Sequence, residues 1–197
     1  MRQITQIFLI GLLVIGPAQA AIVKRIDAHT VSYQGLVDKN DDVRLRAVLE
    51  DSDTLVLDSH GGSALVSLKI QALFIEYEDL RIQVVRCESA CANFVLGVGR
   101  VSGPLGFHRP WLPERVLKHY GDEAQAQLDQ VTEQVLALWR SYLPEPVIQE
   151  ILTASSPSAT FLIEGRELER FEASAQAART RDTIKTARRL QINEPSS

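Results

Sequence analysis

Cysteine is scarce, with 2 among 197 residues, so no disulfide scaffold can replace a hydrophobic core. Two sulfurs without clustered His or Asp cannot complete a metal site either. Aromatics make up 6% of the chain and methionine occurs once, so the core has to be mostly aliphatic. A basic excess is missing too: the formal net charge is −4, which argues against nucleic acid as the main partner. No internal repeat and no Walker-type phosphate loop appears, which excludes solenoids and P-loop nucleotide chemistry.

Long apolar runs are equally rare. The one at the start, Ile7 to Ile15, is short of the roughly 20 residues a bilayer span needs. Arg2 precedes it and Pro17-Ala18-Gln19-Ala20 follows, an A-x-A cleavage pattern. We read residues 1–20 as a secretory leader cut after Ala20, with a membrane anchor as the alternative. The mature chain is then expected in the periplasm or outside the cell, with no stable membrane insertion. Its about 177 residues suffice for one domain, assigned to 21–172, followed by a helix and tail over 173–197.

Along that domain the pattern alternates. Thr30 to Leu36 favours a strand, Asp41 to Glu50 a helix buried through Val43, Leu45, Val48 and Leu49. Thr54 to Leu57 is almost wholly apolar, as in a strand buried on both faces. Ser63 to Tyr77 reads as a central helix, Arg81 to Arg86 as a strand burying Ile82, Val84 and Val85, and Ser89 to Gly97 as a close-packing helix. The region 113–142 carries a seam of Leu128, Val131, Val135, Leu138 and Tyr142 that fits packing in its own domain or a subunit contact. Pro144 and Pro146 break the chain before a short helix. Thr160 to Ile163 forms a further strand, and a polar helix starts at Glu164. Strand, turn and helix in alternation predict an α/β fold with a mostly parallel sheet.

Three stretches carry chemistry: LDSHGG at 57–62, RCESACANFVLGVGR at 86–100 and LGFHRP at 105–110. Ser89 stands where a strand turns into a helix, a place that exposes its Oγ beside free helix N–H groups. Gly61 and Gly62 can bring backbone N–H groups to a developing oxyanion without Cβ interference. His108 offers a base for the serine proton. Singly these are a cap, a turn and a lone histidine; together they form the parts of a serine hydrolase. Export also makes Cys87 and Cys91 a candidate disulfide. A regular helix directs Cβ atoms four residues apart poorly for a bridge, so Cys87 has to precede the helix proper.

The run from LVLDSHGGSAL through CESACANFVLGVGR to LGFHRP resembles the Clp proteolytic-subunit and crotonase-like superfamily. It is most similar to a secreted bacterial branch with a Cys-x-Ser-Ala-Cys motif and a Gly-x-His-Arg segment. The resemblance spans about residues 28–172. It implies a spiral of ββα units, a tendency to form homo-oligomers, and serine peptidase chemistry on a peptide or protein substrate without a cofactor. Ser89 then matches the nucleophile, His108 the general base, and the N–H groups of Gly62 and Ala90 the oxyanion donors. The family's third residue, an aspartate, falls on Ala159 here, where Ser158 and Thr160 offer only neutral hydrogen bonds. Glu164 or Glu167 are the candidate substitutes. His60 replaces the usual proline, as a turn residue, an alternative base or a substrate contact.

An exported serine hydrolase with a Ser-His dyad or incomplete triad is therefore the expected function. The alternative is a non-catalytic periplasmic binding or assembly protein that keeps the fold. A crotonase-like acyl-thioester enzyme is disfavoured, since CoA thioesters are cytoplasmic and that chemistry does not require a Ser–His pair.

Overall fold

Apolar residues at alternate positions build the sheet. The computed structural model describes residues 20–154 and 159–177. Its strands are β1 (Ile22–Arg25), β2 (Thr30–Gln34), β3 (Thr54–Ser59), β4 (Arg81–Glu88), β5 (Val101–Ser102), β6 (Pro104–Phe107) and β7 (Phe161–Glu164). They lie in the order β1-β2-β3-β4-β6-β7, with β5 also on β4. From β2 to β6 every pairing is parallel, and the antiparallel β1 and β7 close the two edges. The chain is thus α/β with a mostly parallel sheet. β1, an edge strand of only four residues, is the strand the sequence pattern did not reveal.

Helices α1 (Asp41–Leu49), α2 (Ala64–Ile75), α3 (Ala90–Phe94), α4 (Glu114–Tyr142) and α5 (Glu145–Ala154) connect the strands, and α6 covers residues 165–177. One core joins them. Val31, Tyr33, Leu55, Leu57 and Ile82 come from the sheet, Leu45 and Leu49 from α1, Ile70 and Phe74 from α2, Phe94 from α3, and Trp139 from α4. Phe94 meets both Tyr33 and Phe74 edge-on, with centroids 5.8 and 6.0 Å apart, the favoured aromatic geometry.

Several expectations need correction. β3 is buried on one face only, through Leu55, Leu57 and Ser59, because the other face of the sheet carries polar residues such as Asp58. Val85 is 67% exposed, since a bulge opposite Leu57 and Asp58 makes it the unpaired extra residue of β4. In α1, Asp41 takes the buried place expected of Val43, which points to solvent. Leu65 and Ile75 leave one side of α2 exposed. α3 is five residues long rather than nine. The seam of α4 packs on its own domain's core through Val131, Val135, Leu138 and Tyr142. This helix breaks at Gly121, whose φ of 53° and ψ of −130° only glycine adopts readily. Pro146 sits inside the first turn of α5, where a missing N–H costs nothing. The tail beyond residue 177 lies outside the described residues. No helix among the described residues is long and apolar enough to cross a membrane.

Buried polar groups tie the helices together. Asn93 on α3 donates to Ser67 Oγ on α2 at 3.1 Å and accepts from Trp139 Nε1 on α4 at 2.9 Å. Gln71 of α2 donates to the carbonyl of Leu96 at 2.8 Å. Leaving any of these donors unmet would cost about 1–3 kcal/mol. Beside β2, fully buried Asp41 accepts from Tyr33 Oη at 2.6 Å and Asp38 N–H at 2.8 Å, and pairs with Arg44. Burial pushes the Tyr33 phenol well above its usual range.

Glu172 on α6 is less well served. It accepts the Gly97 N–H at 2.7 Å, yet burial pushes its carboxyl up to about 7. The folded chain therefore holds a proton that the unfolded chain, titrating near 4.5, has already lost. Its contribution to stability is full below that lower value and disappears as pH rises through about 7. Thermal unfolding should show Glu172→Gln more stable than the parent at pH 8, with little difference at pH 4.5 or below.

Candidate active site

Three parallel strands deliver the three motifs to one edge of the sheet. Ser59 pairs with Cys87, Cys87 with Leu105, and Glu88 with Gly106, so the carboxyl ends of β3, β4 and β6 lie side by side. Ligand sites of open α/β sheets form at such carboxyl ends. From them emerge His60-Gly61-Gly62, Ser89-Ala90 and His108-Arg109.

Ser89 caps α3 with φ 58° and ψ −127°, one of two non-glycine residues at positive φ among those described. Its N–H donates to the Gly106 carbonyl at 2.7 Å, and its side chain makes no hydrogen bond with a described residue. The expected disulfide is present. Cys87 lies on β4 and Cys91 on α3, their Cα atoms 5.1 Å apart and both side chains buried, so a covalent ring encloses the serine turn. With five residues, α3 is too short for a substantial macrodipole. Its contribution is individual N–H groups.

The glycine turn presses directly on Ser89. A Cβ on Gly61 would stand 2.5 Å from Ser89 Cβ and 2.7 Å from the Glu88 carbonyl, and one on Gly62 would stand 2.4 Å from the Val37 carbonyl. Gly61 and Gly62 also hold φ of 96° and 140°, so neither position admits a side chain. Their roles divide. The Gly61 N–H already donates to Ser59 Oγ at 3.1 Å, so Gly61 shapes the turn and does not donate to an oxyanion. The N–H groups of Gly62 and Ala90 have no acceptor among the described residues and remain available.

His108 follows β6, half-buried, with Nδ1 2.7 Å from the Arg109 carbonyl. A carbonyl only accepts, so Nδ1 carries the proton and Nε2 presents its lone pair. No hydrogen bond joins Ser89 to His108 in this structure. Of the proposed substitutes for the aspartate, Glu164 does not reach the site. It pairs with Pro104 at the far end of β6, three register steps or about 10 Å from the Phe107–Phe161 pair. Glu167 lies further along, on α6. Exposed Ala159 stands two residues before Phe161, the partner of Phe107, and Thr160 packs beside Gly106, with its Oγ1 3.1 Å from where a Cβ would stand. Ser158 lies outside the described residues.

His60 has a partner that sequence reasoning missed: its Nδ1 lies 3.0 Å from Glu88 Oε2. The available signal was positional, an acid directly before the serine and a histidine directly before the glycine pair. Cross-strand register was needed to join them.

No family model and no curated protein matches this sequence. Solved structures do match. A single-residue variant of ClpP1 from Listeria monocytogenes aligns at a TM-score of 0.50 and 15% identity, covering 74% of this chain and 88% of that one. The chain therefore shares the ClpP fold.

The tightness of the glycine turn can be measured. Gly99 also has positive φ, at 77°, but a Cβ there meets nothing within 4 Å, so Gly99→Ala carries only the backbone cost, about 1 kcal/mol. Gly61→Ala adds the collision with Ser89. Thermal melts should show Gly61→Ala losing at least twice as many degrees as Gly99→Ala.

Proposed function

We propose that this chain is an exported serine hydrolase of peptidase type, with Ser89 as its nucleophile. One observation carries the reading. A serine is held in strained backbone geometry against a glycine turn, beside two N–H groups, of Gly62 and Ala90, that lack acceptors among the described residues. Strain of this kind costs about 1–3 kcal/mol and concentrates at functional sites. The likeness to ClpP supports peptide or protein as the substrate class and an oligomer as the assembly.

In this reading an imidazole takes the Ser89 proton as Oγ attacks the substrate carbonyl carbon. The carbonyl electron pair moves to oxygen, where the Gly62 and Ala90 N–H groups receive it. The proton then passes to the leaving group as its bond to carbon breaks, and water repeats the sequence on the acyl-enzyme. His108 corresponds to the base, its Nε2 having no partner among the described residues. Its Nδ1 partner is a neutral carbonyl rather than an aspartate, so the imidazolium gains less stabilisation and turnover is slow. A binding protein on the same fold is the second reading. The missing Ser89–His108 hydrogen bond favours it.

A fluorophosphonate probe separates the two. The wild type should take one label, on Ser89. Ser89→Ala should take none, and His108→Ala should label about 100-fold more slowly or worse. A wild type that takes no label would move the assignment to the binding protein.

Export is part of the proposal and has its own check. N-terminal sequencing of protein recovered from the periplasm or medium should begin at Ala21. Recovery of the chain with Met1 in a membrane fraction would contradict it.

A further inference from the structure

Two imidazoles flank Ser89, and they are held differently. His108 gives its Nδ1 proton to the neutral carbonyl of Arg109, whereas His60 faces the carboxylate of Glu88 at 3.0 Å. Each partner of the second pair adjoins a working part of the site. His60 precedes Gly61, the residue pressed on Ser89, and Glu88 precedes Ser89 itself. Arg86, the other cation at this end of β4, is committed to Asp58 at 2.6 Å. Among the described residues, His60 is thus the sole hydrogen-bond or ion-pair partner of the Glu88 side chain. Gly106 makes room for it on the neighbouring strand, since a Cβ there would stand 3.1 Å from Glu88 Cγ. The side chains are 58% and 36% exposed, so the ring meets both solvent and anything bound at the strand ends.

We propose that His60 and Glu88 form a second proton-transfer pair of the Ser89 site, with Glu88 as the positioning residue and His60 exchanging the proton. This rests on the serine hydrolase reading. The carboxylate accepts Nδ1–H and fixes the tautomer, so Nε2 holds the lone pair. Nε2 takes the proton of the attacking hydroxyl, from Ser89 or from the deacylating water, as the new O–C bond forms and the carbonyl pair moves to oxygen. It returns that proton to the departing group as its bond to carbon breaks, and the ring is again neutral. In between, the imidazolium lies beside a carboxylate, a compensation the Arg109 carbonyl cannot give to His108. The charged partner missing at Ala159 is supplied from the opposite side of the serine.

Labelling kinetics with the fluorophosphonate, run on the full mature chain, test this. His60→Ala and Glu88→Gln should each slow the second-order labelling rate about tenfold or more, with melting temperature unchanged because both side chains are on the surface. The double variant should be no slower than the slower single. Free imidazole should restore His60→Ala, a gain that a purely structural histidine would not show, and should leave Glu88→Gln as it was. His60→Gln keeps the bulk and a donor and should stay slow. If the wild type labels and His60→Ala labels within twofold of it, or imidazole restores nothing, the inference falls and the hydrolase reading stands. A wild type without label overturns both.

Discussion

A serine at φ 58° and ψ −127° occupies backbone territory that side-chain-bearing residues avoid, and it stays there only under restraint from several directions. The disulfide from Cys87 to Cys91 fixes the chain on both sides of it, and the Gly106 carbonyl holds its N–H. Gly61 fills the space into which the turn would relax. Behind these, Asn93 anchors α3 between α2 and α4 by two buried side-chain hydrogen bonds. The same restraints leave the N–H groups of Gly62 and Ala90 without acceptors among the described residues. The turn's strain and its unfilled donors therefore have one origin, the close packing of three strand ends.

The sheet supplies the rest of the geometry. Parallel strands put all their carboxyl ends on one edge, so motifs separated by tens of residues meet without any long loop. A chain only 15% identical to ClpP1 can therefore share its scaffold, because strand direction sets that edge whatever side chains stand on it. Fold and chemistry separate here: the likeness fixes the scaffold, and the residues on it decide the reaction.

The convergence of Ser89, the glycine pair and His108 was legible because each sits in a short motif directly after an apolar strand, and strand ends of an α/β chain gather. What stayed hidden depends on register. Up to Leu57 and Val84 the β3–β4 pairing is regular; then Val85 bulges out and Asp58 meets Arg86. Were Val85 paired with Asp58 instead, Cys87 rather than Glu88 would be carried opposite His60. Nothing in the apolar pattern marks Val85 as the bulge, so the pair at 3.0 Å was invisible. The exclusion of Glu164 followed from register too, since the antiparallel β6–β7 pairing carries it away from His108. Asp41 shows a third limit: an acid in an amphipathic helix reads as a solvent-facing residue until its buried partners are known.

Those partners also reach the first described residues of the domain. Arg44, paired with Asp41, passes a second hydrogen bond to the Ala21 carbonyl at 2.7 Å, and the Ala21 N–H reaches Leu36 at 3.1 Å. Ala21 is 2% exposed, whereas Ala20 faces solvent. If the leader is cut as proposed, two unrelated requirements fall on adjacent alanines. A leader peptidase reading the A-x-A signal would demand a small side chain at Ala20, and the packed core demands one at Ala21. Under the proposed export, mutational tolerance at this junction would be set from both sides of the scissile bond, by an enzyme acting on the unfolded precursor and by the architecture of the folded product.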